Sequence, residues 1–204
     1  MPEEVVKKER PVLSGNRLLL RSPIESDKQD RLSYGRNAEF LSYGRNAEFR
    51  RMVGGDPQNP PPLTVEEVER WYHKILAGEF CWVIELEGRC IGTAQLRSVD
   101  KDDRRARYAI GIFDPGCWGK GYGTEATKLI LRHAFEELRL HRVDLKVRTF
   151  NHRAIACYEK CGFVREGVER EASLIDGKWQ SDLLMSILDH EYFKIRTNRK
   201  SHIL

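Results

Sequence analysis

Seven residues, Trp118-Gly-Lys-Gly-Tyr-Gly-Thr124, carry the clearest chemistry in the chain. Glycines alternate at Gly119, Gly121 and Gly123, between a strand-like run (Ala106 to Phe113) and a strongly helical one (Glu125 to Leu140). A backbone without side chains can turn tightly there and approach a ligand closely. The helix that follows directs its unpaired N–H groups and the positive end of its dipole at the loop. Loop and helix together make a cradle for a diphosphate. A P-loop would place Ser or Thr directly after the lysine. Here Lys120 stands between glycines, and Thr124 does not follow it. A dinucleotide fold would place its glycines after the first strand of a βαβ unit. Here the loop follows a series of strands past the middle of the chain. A glycine-rich turn with no ligand is the plain alternative for the loop taken alone.

About 27 residues further on lies Asn151-His-Arg-Ala-Ile-Ala-Cys-Tyr-Glu-Lys-Cys-Gly-Phe163. In this order and context the two segments resemble the GNAT family of acetyl-CoA-dependent N-acetyltransferases. The loop is similar to that family's pyrophosphate signature, Q/R-x-x-G-x-G/A. The second segment is similar to its Asn…Ala…Tyr-x-Lys-x-Gly-Phe signature. Glu166-Gly167, Asp176-Gly177 and Arg17-Leu-Leu-Leu-Arg21 extend the likeness over roughly residues 10 to 193. The branch it resembles includes ribosomal-protein N-terminal and polyamine acetyltransferases. Trp118 departs from the signature, which has Gln or Arg there.

The resemblance implies roles. Gly119 to Thr124, with Trp118, Lys120 and Tyr122 among them, would hold the pyrophosphate of acetyl-CoA. The strand before the loop would splay from its neighbour and offer backbone groups to the pantetheine arm. Ile112 is the first choice for an N–H facing the thioester carbonyl. Tyr158 would be the general acid for the departing sulfur, and Asn151 would bind the CoA arm or a bridging water. Read as ordinary structure, Tyr158 would pack its ring and Asn151 would cap a turn. Several family members place a catalytic Glu on the strand before the loop, and this strand has none. Asp114, Glu85 and a water relay all stand as candidates, and the base stays unassigned. The resemblance also leaves open a non-catalytic acyl-CoA-binding module.

Composition is consistent with this. The 204 residues are 40% hydrophobic and 32% charged, enough for one domain with a substantial core. A net charge of +4 and a pI near 8.8 suit a polyanionic CoA nucleotide. No dense basic stripe points to nucleic acid. No apolar run reaches membrane-spanning length, and Met1 to Arg10 is charged rather than leader-like, so a cytoplasmic location is expected. A homodimer is compatible with the sequence. The five cysteines are expected as free thiols. Cys157 and Cys161, four apart on a helix near His152, match no common zinc spacing, and no metal is expected.

The elements that must position these residues follow from periodicity. Leu18 to Ser22 reads as a strand and Glu25 to Arg36 as a helix. Thr64 and Glu67 form a capping box at the start of a second helix, which Gly78 ends. Cys81 to Leu86 and Cys90 to Val99 make a hairpin at Glu87-Gly88, and Arg107 to Phe113 is the next strand. After the loop helix, whose His133 is expected to pack, come a strand at Val143 to Thr149 and a short helix at Ala154 to Lys160. A final hairpin turns at Asp176-Gly177. The expected fold class is a single-domain α/β unit with a mixed, largely antiparallel central sheet flanked by helices. It spans 10–193, between a charged segment at 1–9 and a mobile basic tail at 194–204. One oddity is Leu-Ser-Tyr-Gly-Arg-Asn-Ala-Glu-Phe, present at 32–40 and again at 41–49. Nine residues advance a helix by about 900°, half a turn out of phase. The two copies cannot share one buried face, so one should pack while the other lengthens the helix or bulges.

Overall fold

The computed structural model describes residues 10–36, 64–175 and 177–200. The described chain opens with β1 (Leu13–Ser14), β2 (Leu18–Arg21), α1 (Asp27–Arg36) and α2 (Val65–Ala77). It then lays down β3 (Cys81–Leu86), β4 (Arg89–Asp100) and β5 (Arg105–Ile112). α3 (Tyr122–Arg132), β6 (Arg142–Arg148) and α4 (His152–Cys161) follow. The hairpin β7 (Val164–Ile175) and β8 (Lys178–Leu188) and a terminal α5 (Asp189–Lys200) complete it. The strands form one sheet in the order β1-β2-β3-β4-β5-β6-β8-β7. Every neighbouring pair is antiparallel except β5 and β6.

That exception positions the site. β5 and β6 pair only at Arg105↔Arg142, Ala106↔Val143 and Arg107↔Asp144. Beyond this β5 continues to Ile112 against β4, while β6 continues to Arg148 against β8. The two strands therefore diverge, and a wedge opens between them.

Both faces of the sheet are covered, which is why Cys81-Trp-Val-Ile84 is buried without alternation. One face carries the larger core, in which Trp82, Ile84, Ile91, Leu96 and Tyr108 meet Ala126, Ile130 and Phe135. The other buries Tyr34 of α1 and Val68, Tyr72 and Ile75 of α2, with Cys81 and Val83 of β3. α2 starts where its capping box predicts: Thr64 accepts from Glu67 N–H and the Glu67 carboxylate accepts from Thr64 N–H. Glu87 (φ 51°) and Gly88 (φ 78°) form the β3–β4 turn.

Two expectations are corrected and one strand is added. The loop helix does not run unbroken to Leu140; after Arg132 it widens into a π-turn over His133–Glu137, closed by Leu138 N–H on the His133 carbonyl. This keeps His133 buried edge-on against Trp82, as expected of a packing residue, while Nδ1 lies 2.8 Å from Glu137. The basic tail is helical to Lys200, because Tyr192 stacks on Phe135 at 5.0 Å and its hydroxyl donates to Glu136. Arg196 pairs with the same carboxylate. β1, a two-residue strand on the sheet edge, was too short for a periodic signal. Of the duplicated segment, Leu32–Arg36 ends α1, and Tyr34 is buried with its hydroxyl on the Cys90 carbonyl at 2.8 Å. The remainder, including Tyr43, lies outside the described residues.

Candidate active site

The wedge exposes one edge of β5. Phe113 N–H bonds the Ile91 carbonyl of β4 at 2.7 Å. Antiparallel strands alternate, so Gly111 shares that direction while Ile110 and Ile112 turn their N–H and C=O groups toward the opening. The Ile112 carbonyl is engaged there by the indole Nε1 of Trp118, which donates across 3.1 Å. Ile110, Gly111 and Ile112 line a cleft of about 370 Å³ with the glycine loop and α4.

The glycine loop forms the second wall. Gly119 (φ 74°) and Gly121 (φ 84°) are left-handed, a conformation that a side chain would strain. Gly121 is the N-cap of α3 and no side chain caps that end, so the first-turn N–H groups face the cleft side of the loop. Tyr122, Gly123 and Thr124 line it. Arg17 holds the loop from outside: its Nη1 donates to the Lys120 carbonyl at 3.1 Å, its guanidinium lies 4.6 Å over the Tyr122 ring, and its Nε pairs with Glu125 at 2.9 Å. Burial alone would raise the Glu125 pKa, but the bonds from Arg17 bring it below the ordinary value.

α4 forms the third wall. Asn151 caps it, accepting from Ala154 N–H at 3.1 Å, and also lines the cleft. The capping reading of Asn151 is realised, and its position in the cleft wall is where a role toward the CoA arm would be exercised. Tyr158 is buried, with its ring edge-on to Tyr108 and Phe163 at 6.3 and 5.7 Å. Its hydroxyl bonds no described residue. Burial, reinforced by the nearby thiols of Cys157 and Cys161, holds its pKa well above that of an ordinary phenol, so it stays a proton donor. Cys157 lines the cleft with Sγ 3.3 Å from Thr124 Oγ1. A hydrogen bond from Cys161 outweighs burial and, with Thr124, Thr127 and Lys160, draws the Cys157 pKa below that of an ordinary thiol.

Nearly all the sequence candidates converge: Ile112, Trp118, Gly119, Gly121, Tyr122, Gly123, Thr124, Asn151 and Tyr158 share one cleft. Lys120 does not line it; its side chain is exposed, and only its carbonyl is used, by Arg17. The candidate bases are committed elsewhere. Glu85 pairs with Arg21, and Asp114 caps the Pro115–Cys117 turn by accepting from Gly116 N–H at 2.8 Å. Glu67 serves the α2 cap and Glu69 binds Lys28. Arg17, Arg153 and Cys157 were missed as site residues. Arg153 lies 4.2 Å over the Trp118 ring. No local pattern marks an arginine that acts across more than a hundred residues.

The cleft fits a phosphorylated ligand with an amide-bearing arm: uncapped N–H groups meet the first, and an unpaired strand edge meets the second. Comparison with known proteins agrees. Residues 17–164 match the model of the Acetyltransferase (GNAT) domain, and the chain belongs to the GNAT acetyltransferase family. It is similar to the spermidine N(1)-acetyltransferase of Escherichia coli K12, 34% identical over 54% of this chain and 59% of that protein. The corresponding Vibrio cholerae enzyme is 33% identical over 65% and 78%. The chain spans about three-fifths of the length of the E. coli relative. A solved structure of V. cholerae spermidine N-acetyltransferase in complex with CoA and spermine superposes with a TM-score of 0.68 at 27% identity, covering 88% of this chain and 99% of that one. No helix among the described residues is long and apolar enough to cross a membrane.

Proposed function

We propose that this protein transfers an acetyl group from acetyl-CoA to a primary amine by direct attack within a ternary complex. The observation that carries this reading is the meeting, in one cleft, of the β5 edge that no strand covers, the uncapped α3 terminus and Tyr158. The α3 N–H groups with Gly119 and Gly121 would hold the pyrophosphate. Ile110 and Ile112 would align the pantetheine arm, and an Ile112 N–H on the thioester oxygen would stabilise the charge that develops there.

The balance of the reaction is simple. The amine nitrogen forms a bond to the acetyl carbon, the carbon–sulfur bond breaks, and the sulfur takes a proton from Tyr158. The nitrogen must lose a proton, and with Glu85 and Asp114 committed, water in the open wedge is the acceptor this reading assigns, with a proton returned from solvent to Tyr158 as CoA leaves. The relatives named for spermidine support an amine acceptor.

The test is incubation with acetyl-CoA and a panel of polyamines, amino acids, aminoglycosides and short peptides, read by mass, with Tyr158→Phe alongside. A gain of the mass of one acetyl group is expected on one class of amine, reduced in the variant. Acetyl-CoA binding without any product would favour a non-catalytic acyl-CoA-binding module instead.

A further inference from the structure

The wedge has two sides. The cofactor cleft lies with α3 and α4, whereas α1 and α2 cover the opposite face of the sheet. An amine that attacks a carbonyl held at Ile112 has to come from a side the cofactor does not fill. Phe113, the next residue, points that way: its ring meets Trp71 of α2 edge-on at 5.9 Å.

Arg31 of α1 closes this corner. Its guanidinium lies 3.8 Å over the Phe113 ring and 6.0 Å from that of Trp71. Other arginines behind the strands have polar partners. Arg21 binds Asp27 and Glu85, and Arg10 donates to the carbonyls of Ile75, Leu76 and Cys81. Arg31 makes no ion pair among the described residues, and its Nε is buried without a hydrogen-bond partner. Two described acids beside it, Glu67 and Asp30, are spoken for. Glu67 closes the α2 cap, and Asp30 accepts from Cys90 N–H at 2.8 Å. Burial lowers the Arg31 pKa, yet a guanidinium stays charged. Aromatic faces satisfy its flat surfaces, and no acceptor among the described residues meets its edge donors.

We propose that Arg31 receives a carboxylate of the acceptor, so that the amine acetylated here belongs to an amino acid or peptide and not to a polyamine. This rests on the acetyltransferase reading above. A planar guanidinium with its donor edge unmet is matched to a carboxylate, which it can bind through two parallel hydrogen bonds. A polyamine would bring a second ammonium against the same charge. Among the described residues, the acids that could have welcomed it, Glu67, Glu69 and Glu85, are already bonded.

The experiment uses acceptors that differ only in the carboxylate. Lysine is compared with cadaverine, and the dipeptide Ser-Ala with its C-terminal amide, with spermidine as a further arm. kcat/KM is measured for the full chain and for Arg31→Gln and Arg31→Lys, with thermal melting and acetyl-CoA affinity as controls. The carboxylate-bearing member of at least one pair should be preferred by roughly 10- to 100-fold, the range of a charge-assisted hydrogen bond. Arg31→Gln should abolish that preference with acetyl-CoA affinity unchanged, and Arg31→Lys should restore part of it. Equal or better use of cadaverine and spermidine, or a preference that survives Arg31→Gln, overturns the assignment. A second measurement is independent of turnover. The CoA-bound protein is titrated by calorimetry with Nε-acetyllysine and with N-acetylcadaverine. Tighter binding of the first, lost in Arg31→Gln, upholds the carboxylate site even if no acceptor is turned over, in which case only the catalytic reading fails. Equal binding of the two sinks the carboxylate site.

Discussion

The indole of Trp118 donates to the carbonyl of Ile112 across 3.1 Å, and so ties the entrance of the glycine loop to the end of the splayed strand. Trp118→Phe keeps an aromatic ring for Arg153 and removes this donor. KM for acetyl-CoA should rise about three- to tenfold, the cost of one hydrogen bond of ordinary strength. Steady-state kinetics with acetyl-CoA varied would show it. An unchanged KM would mean that the bond does not align the strand.

Tyr158→Phe tests the proton donor. Its hydroxyl bonds no described residue, so removal should leave the melting temperature within about 1 °C of wild type. Turnover should fall by about 10²-fold or more while acetyl-CoA affinity holds. A parallel loss of affinity would assign the tyrosine to binding instead of chemistry.

Cys157 should stand apart from the other thiols. Burial pushes Cys81 and Cys117 up to about 11 and Cys90 up to about 12, whereas the Cys157 pKa is drawn down and its sulfur reaches the cleft. The thiolate is the reactive form, so iodoacetamide near pH 7 should label Cys157 first. Acetyl-CoA should protect it, because the sulfur sits beside Thr124 at the loop. Peptide mapping after brief labelling decides; first labelling elsewhere would refute the expected order.

The Glu166 carboxylate links β7 to Arg142 of β6 and accepts from Ser186 at 2.7 Å. The Arg142 bonds hold its pKa down at about 2. A depressed carboxylate stabilises the fold above its unfolded value, near 4.5, and loses that contribution as pH falls through about 2. The pair is partly exposed, so Glu166→Gln should lower the melting temperature at pH 7 by only about 1–3 °C. The gap should narrow as pH drops from 5 toward 2. A constant gap would show that packing, not charge, is what the variant removes.

Much of the site was legible because it is local. Gly119 and Gly121 announce a left-handed backbone, and Asn151 caps the short helix that carries Tyr158, so their spacing carries their relation. The Thr64–Glu67 box and the Glu87-Gly88 turn were readable for the same reason. What distance in the chain creates was not. Arg17 reaches Lys120 and Glu125 from the far side of the sequence, and nothing around Arg17 signals it. The tail looked free because Lys194 to Lys200 is polar. The residues that dock it, Tyr192 and Arg196, find Phe135 and Glu136 in the π-turn, which no periodicity predicts. Nothing in the sequence around Arg31 sets it apart from the other charges of its helix, and only the fold places Phe113 beneath it.

The three-pair seam between β5 and β6 divides the sheet into a leaf of five strands and a leaf of three. A ligand that touches Ile112 on one leaf and Tyr158 beyond the other spans the gap like a rivet across a hinge. Occupancy should therefore stiffen the joint more than either leaf. Backbone amide exchange at Tyr108 to Ile112 should slow more on adding CoA than exchange within β3 or β8, and the two leaves of the liganded protein should melt together.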